Sequence, residues 1–419
     1  MQSSSVDITS DEFEAIKSSM CPPENPFLCT TKTDSMGLCR KDPKDCGDRH
    51  LKTDSDESDK SAKTKKTESN QFGYHTNNIT DYCGSYNPEY MIEYDGGDSL
   101  PKSFKVLTWN IWGMNKRREH GDKFMLLSEL MMLRMEEVVK QLVKEDPDVV
   151  MIQEMSFDAL GMIKGFMRKY NLSDKYTGYG HNFSRFSPDK MEAGIGRDLE
   201  NYVFSKYTPS KIKQFSLAGN LGYTTAITCV CFDDVCIVGT YLQAGSKNSP
   251  GQEEIWYHYS RCRLEQLKAI NEIINEECAD QTVILCGDFN MDLDGSKKEW
   301  PEVRGVKNMG VVDTWRAVYP DTKQHPGFTE DTDINHMRWN MKFMEKRYRY
   351  DGILLKNSKT KLIVTDSKMI GLESIPMADD MYREFLRVLS NKNSKHSPRS
   401  QTYHPSDHFG VMTTFSRSK

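Results

Sequence analysis

TVILCGDFNMD, residues 282–292, decides how the chain is read. Just upstream, Leu264, Leu267, Ile270 and Ile274 recur at the spacing of one helix face. A long amphipathic helix that runs into a short, unbroken apolar stretch predicts an α/β protein whose strand is covered on both faces. The polar residues come where that strand ends, at Asp288 and Asn290.

The same punctuation recurs on either side. FKVLTWNIW (104–112) reads as a strand closed by Asn110, and DVVMIQEM (148–155) as one closed by Gln153 and Glu154. Between them, from Lys123 to Lys144, Phe124, Leu127, Met131, Met135, Val138 and Leu142 keep helical spacing, with the methionines read as core filler. YTTAITCVCF (223–232) and VCIVGTYLQ (235–243) form two strands about an Asp233-Asp234 turn, the second ending at Tyr241 and Gln243. Asp351 opens RYRYDGILLK (347–356), and Asp407 and His408 stand side by side at the last strand, in TYHPSDHFGVM (402–412). No internal repeat is visible.

Carboxylate, amide, phenol and imidazole groups at so many strand ends would be expensive to bury unpaired, so they converge on one another or on a metal. Oxygen and amide donors with few His or Cys candidates point to a hard cation, Mg2+ or alternatively Mn2+, rather than zinc. Such an ion beside a carboxylate and a histidine suits attack on phosphorus.

LTWNIWG, VVMIQEM, GTYLQAG, LCGDFNMD, RYDGILL and PSDHFG, in that order, resemble the endonuclease/exonuclease/phosphatase superfamily over roughly residues 103–417. The resemblance implies a DNase I-like four-layer α/β-β/α sandwich, with helices outside two packed mixed sheets and the site at one rim. It implies Asn110, Glu154 and Asp407 at the metal, Asp288 activating or orienting the attacking water, and Asn290 on a phosphate oxygen. It further implies His408, oriented by Asp351, as the cationic stabiliser of the transition state.

Within the superfamily the C-terminal third looks most like the tyrosyl-DNA phosphodiesterase 2-like group, through VVDTWRAVYP, GFTEDTDINHM, RYDGILL, MIGLESIP and PSDHFG, and through Arg263 and Gln266 as its R-x-x-Q. That implies a DNA repair enzyme removing protein adducts from 5' DNA ends. Its substrate would be a nucleic acid with a 5'-phosphotyrosyl or similar end, contacted by Arg263, Thr329, Asn335 and Trp112. There are two departures. Tyr241 stands where the group carries His and abasic-site endonucleases carry Tyr, so phosphate contact would come through the phenol. Glu330 replaces the loop's Trp, which removes an aromatic wall and is expected to add a negative charge near DNA. NIWG, TYLQAG, Arg263 and LCGDFNMD also resemble neutral sphingomyelinases. The other competing readings are an abasic-site-type endonuclease and a binding module without catalysis.

The whole chain, 419 residues with a net charge of -5 and mean hydropathy of -0.67, shows no general attraction to polyanions. Its N-terminus is polar, and no apolar run reaches the roughly 18 residues needed to span a bilayer. A soluble intracellular monomer, nuclear or cytoplasmic and without a membrane partner, is expected. Cys229, Cys231, Cys236, Cys262, Cys278 and Cys286 lie in apolar patterns and read as small buried thiols of a reducing compartment. The catalytic domain is placed at 101–419 and a low-complexity linker and lead-in at 51–100. Residues 1–50 form a Cys-containing segment: Cys21, Cys29, Cys39 and Cys46 read either as a metal or disulfide module or as a disordered tail, and the segment is the place for a protein partner. Lys392, Lys395, His396 and Arg399, in a 379–400 insertion, read either as a solvated loop or as a flap over substrate phosphates. Trp315 and Trp339 are expected to pack, and Tyr257, His258 and Tyr259 to pack or to stack on a single strand.

Overall fold

The computed structural model describes residues 83–113, 124–180, 200–219, 224–245, 253–295, 300–342, 345–376 and 403–418, with fragments at 27–28, 39–40, 379 and 383. Cys21, Cys29 and Cys46 and the basic 392–399 segment lie outside the described residues, and of the N-terminal cysteines Cys39 alone is described, in a short strand where it stands opposite Leu28.

After two short antiparallel strands, Phe27–Leu28 and Cys39–Arg40, the chain forms strand β1 (Tyr86–Glu93), β2 (Ser103–Asn110), helix α1 (Phe124–Glu145), β3 (Val149–Met155) and α2 (Phe157–Lys169). It continues through β4 (Thr177–Tyr179), β5 (Glu200–Ser205), β6 (Lys211–Ala218), β7 (Thr224–Cys231) and β8 (Val235–Tyr241) to α3 (Glu253–Glu277) and β9 (Thr282–Asp288). Then come α4 (Glu302–Asn308), β10 (Val312–Asp313), α5 (Thr314–Val318), β11 (Glu330–Asp331), α6 (His336–Lys342) and β12 (Arg347–Tyr348). Strands β13 (Asp351–Lys356), β14 (Leu362–Ile370) and β15 (Gly410–Arg417) complete it.

A seven-stranded sheet runs β10-β13-β9-β8-β7-β6-β1 and a six-stranded sheet runs β14-β15-β2-β3-β5-β4. Each is mixed: β8–β9 and β2–β3 pair in parallel, and their other neighbours are antiparallel. Alternate side chains sort the layers. On β9, Ile284 and Cys286 join Val106, Met151, Ile237 and Phe415 between the sheets, while Val283 and Leu285 meet Leu267, Ile270 and Ile274 of α3. On the far side, Trp109, Val150 and Ile152 pack under Met135, Val138 and Phe166 of α1 and α2. The result is the expected sandwich of helices, two mixed sheets and helices. No helix among the described residues is long and apolar enough to cross a membrane.

Strand β1 lies inside the stretch read as lead-in and extends the first sheet by pairing with β6. The buried cysteines also differ from expectation. Cys231 and Cys236, cross-strand partners flanking the Asp233-Asp234 turn, are joined, as are Cys83 and Cys262, while Cys229, Cys278 and Cys286 are free and buried.

Parallel strands finish together and antiparallel neighbours start where they finish, so the polar strand ends share one rim. Register places Tyr241 opposite Asp288 and Asp288 opposite Asp351. In the second sheet Asn110 stands opposite Gln153. Gly287 makes the close approach possible: its φ is +146, and a Cβ there would sit 1.9 Å from the Thr240 carbonyl oxygen. Gly287→Ala is therefore expected to destabilise the protein by about 2 kcal/mol or more. A Tm equal to that of the wild type in calorimetry would contradict this.

Candidate active site

The centre is a short network of buried polar groups. Asn110 donates from Nδ2 to Glu154 Oε1 and to Asp288 Oδ2, both at 3.0 Å. Tyr241 donates its hydroxyl to the same Glu154 oxygen at 3.0 Å. Asp288 Oδ1 accepts the backbone N–H of Asn290 at 2.8 Å, and Asn290 Nδ2 donates to the Leu242 carbonyl at 2.9 Å. His408 Nδ1 lies 2.8 Å from Asp351 Oδ2.

Backbone conformation aims these groups. Glu154, Asn290 and Trp112 have φ of 57, 50 and 46, in the left-handed region that side chains rarely adopt. A register shift between Ile152 and Met155, where β3 meets β5, re-aims Glu154 off the regular strand. Strain of this kind persists only where surrounding contacts overdetermine it. The contacts here include Trp112 N–H to Asn110 Oδ1 and Gly113 N–H to the Glu154 carbonyl, each at 3.0 Å.

Electrostatics separates the titrating groups. Burial, reinforced by neighbouring Asp351, pushes the Asp288 carboxyl up to about 7. Burial opposes the charged His408 ring, yet the Asp351 carboxylate overrides it and the ring's pKa lies well above that of an ordinary histidine. Burial and then Asp407 raise the Glu154 carboxyl, against hydrogen bonds from Asn110 and Tyr241. Burial, with Glu154 next to it, keeps the Tyr241 phenol protonated.

The donor set fits a hard divalent cation. Glu154 Oε2 and Asp351 Oδ1 are buried with no hydrogen-bond partner, an expensive state unless a cation or solvent takes those lone pairs. Oxygens of Asp288 and Asp351 lie within 4.8 Å of each other and of a His408 nitrogen, as do those of Glu330 and Asp407. Carboxylate oxygens dominate both groups.

Three residues expected at the substrate stand behind the site instead. Arg263 is fully buried, donating to Glu302 and to the Gln243 and Gly245 carbonyls, because its R-x-x-Q partner Gln266 and it together hold the turn after β8. Thr329 is equally enclosed, its hydroxyl accepting the Tyr350 and Asp351 N–H groups at 3.0 Å. Asn335 is buried and donates to the Ser406 carbonyl at 2.7 Å. All three brace strand ends that carry catalytic candidates. Trp112 does reach the surface, half-buried, with the Arg134 guanidinium 4.8 Å from its ring.

Glu330 also departs from expectation: it is 1% exposed and held by Arg338 and Lys346, which drive its carboxyl far below the usual range, so it presents no free negative charge to a substrate. Trp315 packs as expected, Trp339 is half-buried, and Tyr257 is exposed on α3.

Two supports were missed by the sequence reading. Ser406 donates to the Asn110 carbonyl at 2.7 Å and accepts the His408 N–H, tying the last strand to β2. Its place inside PSDHFG was a usable signal. Arg134 of α1 holds the Ile111, Trp112 and Pro405 carbonyls, and nothing local sets it apart from a surface arginine.

The sequence profile of the Endonuclease/Exonuclease/phosphatase family matches residues 107–343. No curated protein matches the chain. Among solved structures, D. rerio TDP2 humanized by 14 mutations is 17% identical, with 75% of this chain and 100% of that one covered and a TM-score of 0.46. Truncated Caenorhabditis elegans TDP2 is 18% identical, covering 75% and 97%, at a TM-score of 0.41. The human Nocturnin catalytic domain with bound sulfate is 14% identical, covering 76% and 94%, at 0.38. Likenesses this distant say nothing of substrate. The family match spans more than half of the chain: it belongs to the Endonuclease/Exonuclease/phosphatase family, whose members are hydrolases acting on phosphodiester bonds.

Proposed function

We propose that the chain is an intracellular, monomeric, Mg2+-dependent phosphodiesterase, with Mn2+ as the alternative ion, that clears 5' nucleic-acid ends of phosphotyrosyl or similar adducts. The observation that carries the chemistry is the Asp351-held His408 beside a proton-accepting Asp288 and the unpartnered oxygen of Glu154. The substrate class rests on the order of motifs from VVDTWRAVYP to PSDHFG.

Glu154, Asn110 and Asp407 are the residues that would hold the ion, which when bound withdraws charge from the phosphoryl oxygens. Asp288, with a carboxyl near 7, has the strength of a general base at neutral pH: it takes a proton from water as the oxygen attacks phosphorus. Asn110 and the Asn290 backbone keep that carboxylate pointed. The Asn290 side chain, fixed through Leu242, is oriented to donate to a phosphate oxygen. His408 spends Nδ1 on Asp351, which leaves Nε2 to offset the charge that builds on the phosphoryl group. Tyr241 orients Glu154 through its hydroxyl.

A panel of 5'-phosphotyrosyl DNA, abasic duplex and sphingomyelin, each with and without Mg2+, tests the reading. Cleavage of the phosphotyrosyl end well ahead of the others is expected. Preference for either other substrate overturns the assignment of substrate, and hydrolysis of none leaves a binding module. Glu154→Gln is expected to raise the Mg2+ concentration for half-maximal rate by about ten- to hundredfold, with a smaller loss of kcat at saturating ion. An unchanged Mg2+ dependence would remove Glu154 from the ion's ligands.

A further inference from the structure

Beside the catalytic residues lies a charge cluster that the mechanism does not use. Glu330 has both oxygens committed, Oε1 to Arg338 Nε at 2.7 Å and Oε2 to Lys346 Nζ at 3.0 Å. Arg338 is therefore anchored by its inner nitrogen, and its terminal nitrogens are left to reach elsewhere. Nη1 lies 3.5 Å from Asp407 Oδ2, and the side chain is 20% exposed.

Asp407 itself is loosely held. Its other oxygen is 3.4 Å from Ser406 Oγ, at the outer limit of a hydrogen bond. A buried carboxylate whose contacts among the described residues are both long can change partner at little cost, whereas Glu330, tightly held by two cations, cannot. Asp407 and Glu154 are near enough for both to act on the Arg338 charge. An arginine there opposes any cation that approaches these carboxylates, and its planar terminal fork suits a phosphate oxygen.

We propose that Arg338, braced by Glu330, competes with the divalent cation for Asp407 and, once displaced, turns its terminal nitrogens onto a phosphate oxygen of the substrate. This rests on the phosphodiesterase reading above and adds to it a substrate-binding residue that couples ion binding to substrate binding. It also explains why a carboxylate occupies position 330: Glu330 fixes the base of the arginine.

Binding of Mn2+ alone, read from the electron paramagnetic resonance signal of the free ion, tests the first half on the full chain without substrate. Arg338→Met combined with Glu330→Gln removes one charge of each sign and keeps bulk, so Glu330 is not left half-paired and, with Lys346 unchanged, the net charge of the cluster stays the same. The double variant is expected to bind Mn2+ about fivefold more tightly than the wild type, with Arg338→Lys in between. A merely structural Arg338 gives equal or weaker binding, and that result overturns the proposal. On whichever panel substrate the wild type cleaves, the double variant is expected to raise KM about tenfold with a smaller change in kcat. An unchanged KM overturns the substrate half. Should the wild type cleave none of the panel, the Mn2+ result still stands alone, so the two readings fail separately.

Discussion

Asp288→Asn is expected to lower kcat by about three to four orders of magnitude, because it removes a carboxyl whose surroundings raise it to about 7, where it can accept a proton at neutral pH, while leaving the fold in place. The same substitution carries a signature in stability that separates it from general damage. In the folded protein the Asp288 carboxyl keeps its proton up to about pH 7, whereas in the unfolded chain it loses it near 4. Between those values the folded state binds the extra proton, so wild-type stability falls as pH rises through the window. The variant has no such proton to lose. It does lose one of two hydrogen bonds, since an amide cannot accept from both Asn110 Nδ2 and the Asn290 N–H. The difference in Tm between variant and wild type should thus start slightly against the variant near pH 4 and move steadily in its favour until about pH 7. Wild-type turnover in single-turnover assays would remove Asp288 from the base role, and a Tm difference flat with pH would show that its carboxyl is not raised.

The layers and the rim were legible for a physical reason. Strands covered on both faces must be continuously apolar, so TVILC and DVVMI announce themselves, and a carboxylate at the end of such a strand stands out because burial is expensive there. Strand β1 escaped because an edge strand has no such constraint: YNPEYMIE carries Pro88, two glutamates and an irregular register with β6. Motif spacing located Arg263, Thr329 and Asn335 but could not tell a side chain facing the groove from one satisfying backbone groups behind it. The misreading of Glu330 has the same root. Its charge is cancelled by partners eight and sixteen residues along the chain, Arg338 on α6 and Lys346 just before β12, and only tertiary folding brings the three together.

His408→Ala is expected to lower kcat by about three orders of magnitude, and Asp351→Asn by about two to three, on the premise that the two residues act as one unit. Asp351 sustains the charge on a ring that burial alone would neutralise. An amide in its place still accepts the Nδ1 proton but no longer holds the cation. For the Asp351→Asn variant the limb of the kcat profile that depends on protonated His408 should therefore move to lower pH, while in the wild type it lies well above the ordinary histidine range. His408→Ala leaves the Asp351 carboxylate buried without its partner, which costs about 3–5 kcal/mol, and Asp351→Asn weakens the bond that fixes the ring, so loss of activity in either alone is open to a folding explanation. The double variant closes that door, because it buries no unpaired charge at the pair. If His408 and Asp351 form one catalytic unit, the double variant is more stable than either single variant and turns over no more slowly than His408→Ala. Rate losses that simply multiply would mean that Asp351 acts apart from His408, a relation hard to reconcile with a 2.8 Å contact that engages the ring's Nδ1.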